Sequence, residues 1–141
     1  MDPVRWVLGG FQPMRTHEQA VTLKIKNHQS LLDVTQGKGT RQQIDILIAA
    51  MNMAEALHRV SPALGADYAS DIKAAQDAIF NMSRRGLEKG SFLFTGPELQ
   101  AMNQGMEIHD AQLDACNVAE LDKALQLVHK EITNKKARAI V

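Results

Sequence analysis

The sequence has one cysteine, few aromatic side chains and no net charge, and each of these shortages argues against a class of protein. Cys116 is the only cysteine in 141 residues, so an internal disulfide framework is excluded and a reducing, cytoplasmic location is expected. The 16 basic and 16 acidic side chains cancel, which removes the usual electrostatic argument for binding nucleic acid. Aromatic residues make up only 4% of the chain, yet its aliphatic and methionine content argues against disorder.

The sequence also lacks the features of a secreted or membrane protein. Its start, MDPVRWVLGGFQP, has neither a basic region nor a long apolar stretch, so no secretory signal is expected. A membrane span needs about 20 largely uncharged residues, and charges interrupt the most apolar run, residues 40–60, well before that length. We expect one domain, residues 1–141, that does not contact a membrane.

The stretch from Thr40 to Val60 predicts a buried central helix. Its apolar residues are too many to share one stripe of roughly 100°, and they are Ile44, Ile46, Leu47, Ile48, Met51, Met53, Leu57 and Val60. A helix that is apolar nearly all round is expected to be surrounded by other helices. Its one polar track consists of Asp45, Asn52, Glu55 and Arg59. This track is either the face that reaches water or a buried polar seam.

Four predicted helix starts share one capping pattern, a Thr or Asn followed three residues later by Glu or Gln. The pairs are Thr16 with Gln19, Thr40 with Gln43, Thr95 with Glu98, and Asn117 with Glu120. The first pair predicts a helix that runs to about Gln36, although the alternation in residues 23–26 also resembles a strand. The glycine-containing turn at 37–39 is short, so the first two helices are expected to be antiparallel.

A third helix is predicted from Ala66 to Arg85, because apolar residues recur there at steps of four and three. The residues of this core-facing stripe are Tyr68, Ile72, Ala75, Ile79 and Met82. Gly86 and Gly90 then predict a loop, and residues 91–94 predict a short extended or β-like segment.

Two further apolar stripes follow, and they are out of phase. The first contains Leu99, Met102, Met106, His109, Leu113 and Cys116, and the second contains Val118, Leu121, Leu125, Val128 and Ile132. A displacement of two residues is about 200° around a helix, so one straight helix cannot direct both stripes towards one core. We predict a break at Asn117, with a bend in one long helix as the alternative. The basic tail, residues 134–141, is expected to fray.

These patterns together predict an all-α protein, a compact bundle of about five helices around the buried second helix. Residues 1–15 contain Trp6 and Phe11 among prolines and glycines. They predict an irregular N-terminal arm that packs across the helices.

Glu55 and His58 have the Glu-x-x-His spacing of di-iron carboxylate bundles, in which residues three apart point the same way and share a metal. Such a site needs a second motif, and the sequence has none, since Glu107 and His109 are only two residues apart. The plainer interpretation is a pair near the end of a helix, close to solvent. We therefore predict no metal site and no cofactor.

The acidic residues of the fourth helix form the leading candidate for a binding surface. Residues 90–122 carry six acidic side chains and no Lys or Arg. Four polar residues of this segment share one helix face, and they are Asn103, Glu107, Asp110 and Asp114. We predict that this face binds a basic partner, with a hard cation or a solvated outer face as the alternatives.

A second hypothesis is a small-molecule or metal site on the polar track of the central helix. Its candidate residues are Asp45, Asn52 and Glu55 together with His109. His109 lies within an apolar stripe, however, and is better interpreted as a core or interface histidine, as is His28. Cys116 is interpreted as a small buried hydrophobe. The sequence contains no Ser-His-Asp arrangement, Gly-rich phosphate loop or CxxC motif, so nothing in it supports an enzyme.

A DNA-associated regulator is the third hypothesis, and the sequence supports it least. The basic cluster at residues 135–138 could contact phosphates. Arg84 and Arg85 are equally well explained by the dipole at the end of a helix. The second helix is too hydrophobic to lie in a DNA groove.

In the segments KIKNHQSLL, RRGLEKG and EIHDAQLD, the chain resembles small helical accessory proteins of unassigned function from proteobacterial phages and plasmids. This resemblance covers most of the chain, implies a mobile-element setting and carries no functional residues. The leading hypothesis is a non-enzymatic, cytoplasmic interaction protein that acts through protein–protein contacts as a homodimer.

Overall fold

The computed structural model describes residues 17–140, with the side chains of residues 20–134. The described residues form five α-helices, which are α1 (His17–Thr35), α2 (Arg41–Val60), α3 (Ala69–Lys89), α4 (Gly96–Ala115) and α5 (Val118–Ile140). Two short 3-10 turns, Pro62–Leu64 and Ala66–Tyr68, connect α2 to α3. The described part of the chain contains no β-strand, so the predicted all-α class is confirmed.

Helix α2 is the centre of the bundle, as the sequence predicts. It packs against α1, α3, α4 and α5. The side chains of Leu47, Met51 and Leu57 are fully buried. The apolar residues around α2 therefore contact a different neighbour on each side, which explains why they do not form one stripe.

Capping bonds fix the starts of three helices. The Gln43 side chain accepts a hydrogen bond from the Thr40 backbone N–H at 2.7 Å, and Glu98 accepts one from the Thr95 N–H at 2.8 Å. At the third start, Asn117 and Glu120 exchange two such bonds, of 2.8 and 2.9 Å. The predicted pair Thr16 with Gln19 lies outside the residues whose side chains are described.

The break between α4 and α5 is confirmed. Cys116 ends α4 in an extended conformation, with ψ of 151°. The break lets both apolar stripes face the interior. Met106 and Leu113 of α4 are buried, and so are Leu121 and Leu125 of α5. The continuous bent helix, which was the alternative, is not observed.

The prediction of a loop from Gly86 to Gly90 is wrong. Helix α3 continues through Gly86 to Lys89, and Gly90 ends it with a φ of +80°. Gly86 is buried inside the helix because the ring of Phe92 folds back over it. A Cβ at residue 86 would overlap with Phe92 Cδ1. The glycine therefore provides space for an aromatic ring, and the segment 91–94 is irregular and forms no strand.

The prediction that Tyr68 belongs to the core-facing stripe of α3 is also wrong. The residues Ile72, Ala75, Ile79 and Met82 of its predicted stripe are all buried, but Tyr68 is 51% exposed. It belongs to a 3-10 turn before α3, and this turn has a different periodicity from the α-helix. The stripe therefore begins one turn later than the sequence predicts.

The structure describes the chain as far as Ile140 but does not describe residues 1–16. Helix α5 runs to Ile140, and fraying of the tail at residues 134–141 stays a prediction. The arm at residues 1–15 lies outside the described residues. Among the described helices, none combines the length and the hydropathy that crossing a membrane requires.

Candidate functional site

Half of the acidic face predicted on α4 is covered by α1. His28 Nε2 lies 2.7 Å from Asp110 Oδ2, and Lys24 donates a hydrogen bond to Asp114. The fold thus brings to this face the basic side chains that its own segment lacks. A basic partner would have to displace Lys24 and His28 to reach these two carboxylates.

The other two residues of the predicted face are exposed. Neither Asn103 nor Glu107 contacts a basic side chain of α1, and Glu107 forms no ion pair with any described residue. The structure therefore divides the candidate partner-binding residues into an internal contact with α1 and an open part at Glu107.

His109 and Gln112 of α4 form a buried polar pair. The Gln112 amide nitrogen donates to the carbonyl oxygens of Ala54, at 2.9 Å, and Leu64, at 2.7 Å. Its oxygen lies 3.0 Å from His109 Nδ1. Because both amide hydrogens are directed at carbonyls, the oxygen must accept, and Nδ1 carries the proton of the imidazole. The pair joins α2, the first 3-10 turn and α4.

The environment of His109 favours its neutral form. Burial lowers the pKa of His109, opposed by its bond to Gln112 and by the nearby Asp110 carboxylate, while His28 lowers it further. The histidine therefore acts as a neutral hydrogen-bond donor within the core. This agrees with its interpretation as a core histidine and separates it from the polar track of α2.

The stability of the protein is expected to fall as the pH decreases below about 6.5, the ordinary pKa of an unfolded histidine. Below that pH the unfolded chain binds a proton that buried His109 rejects, so the free energy of unfolding decreases by up to ~1.4 kcal/mol per pH unit. Urea unfolding of the wild type and of His109→Gln at several pH values measures this. The difference between them should be constant above pH ~6.5 and change below it. A difference that stays constant down to pH ~5 would contradict the assignment.

The polar track of α2 is half-buried in its middle, at Asn52 and Glu55, and exposed at both ends, at Asp45 and Arg59. Gln76 of α3 donates to Glu55 Oε2 at 2.9 Å and to Asn52 Oδ1 at 3.3 Å. These three residues line a pocket of about 220 Å³ between α2, α3 and α5. Asp45 is exposed and His109 lies elsewhere, so the structure does not bring the four candidate ligand residues together.

The Glu55 carboxylate is engaged within this seam. It accepts a bond from Arg59 at 3.4 Å, in addition to the bond from Gln76, and Arg59 also donates to Glu131 of α5 at 2.6 Å. The hydrogen bond to Glu131 is the main reason why the pKa of Arg59 is raised. Among the described residues, no three His, Cys, Asp or Glu side chains are grouped so that they could hold a metal ion.

Arg85 and Cys116 also have structural partners. The Arg85 guanidinium donates to both oxygens of Glu98, at 2.6 and 3.1 Å, and to the Leu93 carbonyl at 2.9 Å. The Arg85–Glu98 ion pair links α3 to the start of α4 across the 91–95 segment. The hydrogen bond from Arg85 also lowers the pKa of Glu98. Burial raises the pKa of the Cys116 thiol, which favours the unreactive protonated form.

An open groove of about 550 Å³ lies between the 3-10 turns and the outer face of α4. Its lining includes Leu64, Tyr68, Glu107, Ile108, Ala111 and Ala115. Small side chains leave the space open, and Glu107 places one carboxylate in the lining. The sequence could not indicate this groove, because its residues come from the predicted linker and from the polar side of α4.

Two large apolar side chains on α3 point away from the core. Phe80 is 66% exposed and Leu87 is 57% exposed. Their separation of seven residues places them on the same side of the helix, two turns apart. Helix α1 carries a similar pair, Ile25 and Leu32, which are 63% and 47% exposed. On α3 the signal was present in the sequence, because Phe80 and Leu87 lie outside the predicted core-facing stripe.

Comparison with known proteins gives no information on function, so the surfaces described above are the guide to it. The exposed stripes consist of apolar side chains and the groove lining is largely apolar, whereas the hydrogen-bonded polar groups described above join one helix to another. No protein-family model, no curated protein and no solved structure matches the chain.

Proposed function

We propose that this chain is a non-enzymatic interaction protein and that its first partner is a second copy of itself. The observation that carries the proposal is the exposed pair Phe80 and Leu87 on α3. Exposed aromatic and leucine side chains at a seven-residue interval are typical of a helix that packs against another helix. The resemblance to phage and plasmid accessory proteins supports such a role and adds no activity.

A two-fold symmetric pairing of α3 buries both exposed side chains at once. If the axis passes midway between Phe80 and Leu87, two antiparallel α3 helices place Phe80 of one copy against Leu87 of the other. Each exposed apolar side chain is then covered by its counterpart on the second copy, as expected at the centre of a protein interface.

Charge attraction between the acidic and basic segments does not supply this interface. Lys24 and His28 already pair with Asp114 and Asp110 within one molecule. The second copy is therefore expected to bind through the apolar face of α3, away from the acidic face of α4.

Size-exclusion chromatography with light scattering tests the proposal. Wild-type protein is expected to have the mass of a dimer, and Phe80→Glu should give a monomer because it places two carboxylates at the centre of the interface. Phe80 is mostly exposed, so the variant should keep its helical circular dichroism. Ile25→Glu is the matched control, since Ile25 is 63% exposed on α1 and should leave the dimer intact. A wild type that is monomeric at all concentrations contradicts the proposal.

The pocket of about 220 Å³ supports a second candidate function, binding of a small polar ligand. Asn52, Glu55 and Gln76 offer an amide, a carboxylate and a second amide within it. Any ligand that binds only the folded protein must raise its melting temperature. A thermal-shift screen of amines, nucleotides and metal salts should then produce a hit that Gln76→Leu abolishes, and a flat screen would count against this candidate.

A further inference from the structure

The groove between the 3-10 turns and α4 has a buried apolar floor and an exposed rim. Leu64 and Ile108 form the floor, since both line the groove and are only 8% and 9% exposed. Tyr68 and Glu107 also line the groove and are exposed. Gly65 keeps the floor open, because a Cβ there would lie 3.8 Å from Ile108 Cγ2. A ligand in this groove would bury an apolar body and keep one end close to solvent.

The one polar side chain of the floor is already satisfied within the protein. Gln112 lines the groove and is buried. Its amide nitrogen donates to the carbonyl oxygens of Ala54 and Leu64, and its oxygen lies 3.0 Å from His109 Nδ1. Gln112 therefore has no donor left for a ligand, and the apolar side chains beside it determine what the floor accepts.

The groove contains one charge, and it is negative. Glu107 is the only charged side chain among the described residues that line the groove, and it forms no ion pair with any described residue. The two segments that supply the lining, residues 63–68 and 104–115, contain no Lys or Arg. An unpaired carboxylate beside apolar surface favours a ligand that carries a positive charge at one end.

The dimensions of the groove indicate a small molecule. Its volume of about 550 Å³ lies within the range of about 300–1,000 Å³ that is typical of small-molecule sites. Ten residues line it, whereas a stable protein interface uses about 20–30 residues on each side. The lining residues of α4, from Gln104 to Ala115, span only about 17 Å of helix.

We infer that the groove binds a small amphipathic amine, with its protonated ammonium group beside Glu107 and its apolar body over Ile108 and Ala111. Glu107 and Ala111 are four residues apart on α4, a rise of about 6 Å. A chain of two or three carbons between the ammonium group and an aromatic ring matches this spacing. The exposed ring of Tyr68 adds aromatic surface against which the ring of the ligand can pack.

2-Phenylethylamine is the probe that tests the inference, and 2-phenylethanol and 3-phenylpropionate are its neutral and anionic counterparts. Titration of each compound, followed by amide-detected NMR spectroscopy, should shift the signals of residues 63–68 and 104–115. The amine should bind several-fold more tightly than the alcohol, and the acid should bind most weakly. Equal affinities for the amine and the alcohol, or shifts confined to other parts of the chain, would overturn the inference.

Glu107→Gln tests the role of the carboxylate, because it conserves the shape of the side chain and removes its charge. Residue 107 is exposed, so the protein should remain folded. The affinity for the amine should fall to that for the alcohol, while the affinity for the alcohol stays the same. Glu88→Gln, at an exposed position of α3 outside the groove, is the matched control and should leave both affinities unchanged. If Glu107→Gln also left them unchanged, Glu107 would not hold the ammonium group and the inference would fail.

Ala111→Leu tests the position of the apolar body, because the larger side chain occupies the groove. It should weaken the binding of the amine and of the alcohol alike by several-fold. Residue 111 is exposed on a helix, and leucine is a good helix former, so the fold should be kept. Ala74→Leu, at an exposed position of α3, is the control and should have no effect. Unaltered binding to Ala111→Leu would place the body elsewhere and overturn the inference.

Binding of the amine is separable from both proposed functions, because Phe80, Leu87 and Gln76 are not part of the groove lining. Phe80→Glu and Gln76→Leu should each leave the affinity for 2-phenylethylamine unchanged. Loss of binding in folded Phe80→Glu would place the site between two copies, and loss in Gln76→Leu would place it in the pocket of about 220 Å³. Either loss overturns the inference. A monomeric wild type that binds the amine in the groove would contradict the dimer and support the inference.

Discussion

Replacing Gly105 with leucine is expected to lower the free energy of unfolding by about 3 kcal/mol or more. Gly105 lies where α4 crosses α3 and α2, and a Cβ there would be 2.6 Å from Ala75 Cβ and 2.8 Å from Met51 Sδ. Both neighbours are fully buried, so neither can move into solvent. The helices must separate to admit the new side chain, and urea unfolding measures the cost.

Gly96→Leu is the control for this prediction, because an added Cβ at residue 96 meets no heavy atom within 4 Å. It should change the stability by less than ~1 kcal/mol. A double-mutant cycle sharpens the test, since Ala75→Gly removes the atom closest to the new Cβ. Ala75→Gly should therefore be less harmful in Gly105→Ala than in the wild type. Equal losses in Gly105→Leu and Gly96→Leu would contradict the close crossing.

Gln112→Leu is expected to cost about 2–4 kcal/mol. The change conserves volume approximately, but it removes three hydrogen bonds and leaves the His109 Nδ1–H and the Leu64 carbonyl without their partner. The cost of buried groups without partners exceeds the small gain from one more apolar side chain. The loss should appear in urea unfolding, and the turn at 62–64 should exchange its amide hydrogens faster.

Gln100→Leu is the matched control, since Gln100 lies on the same helix and is exposed. It should change the stability by less than ~0.5 kcal/mol. If Gln112→Leu were as stable as Gln100→Leu, the buried amide would not hold the three elements together, and the account of this region would be wrong.

The helices that the sequence predicts best are those with local signals. The break at Asn117 follows from a two-residue phase shift and a capping pair, both of which lie within a few residues of the break. The central position of α2 follows from its composition, because an apolar surface on every side needs neighbours on every side. Periodicity and capping are determined along the chain, so a single sequence contains them.

The corrections at Gly86 and on the acidic face of α4 involve side-chain contacts that periodicity and capping do not show. Gly86 has the composition of a loop, and only the position of the Phe92 ring shows why a glycine is needed inside α3. Asp110 and Asp114 have the pattern of an open acidic face, yet their partners are 82 and 90 residues away in sequence. No local pattern contains such pairings.

The candidate binding surfaces were the least predictable part. Phe80 and Leu87 were visible as apolar residues outside the core stripe, but their exposure shows that no helix in the described part of the chain covers them. The groove is formed by residues of a linker and a polar helix face, and neither carries a sequence signal of its own. Its properties come from packing, which places Gln112 beneath it and leaves Glu107 in its lining.

The distance between spin labels on two copies of α3 tests the proposed self-association most directly. The label is attached to Ala74→Cys in a Cys116→Ser background, which removes the only native cysteine. Residue 74 is about ten residues from the proposed two-fold axis, so dipolar spectroscopy should give a distance of roughly 30 Å between copies. Absence of a dipolar interaction, or a distance far from that value, would contradict pairing through Phe80 and Leu87.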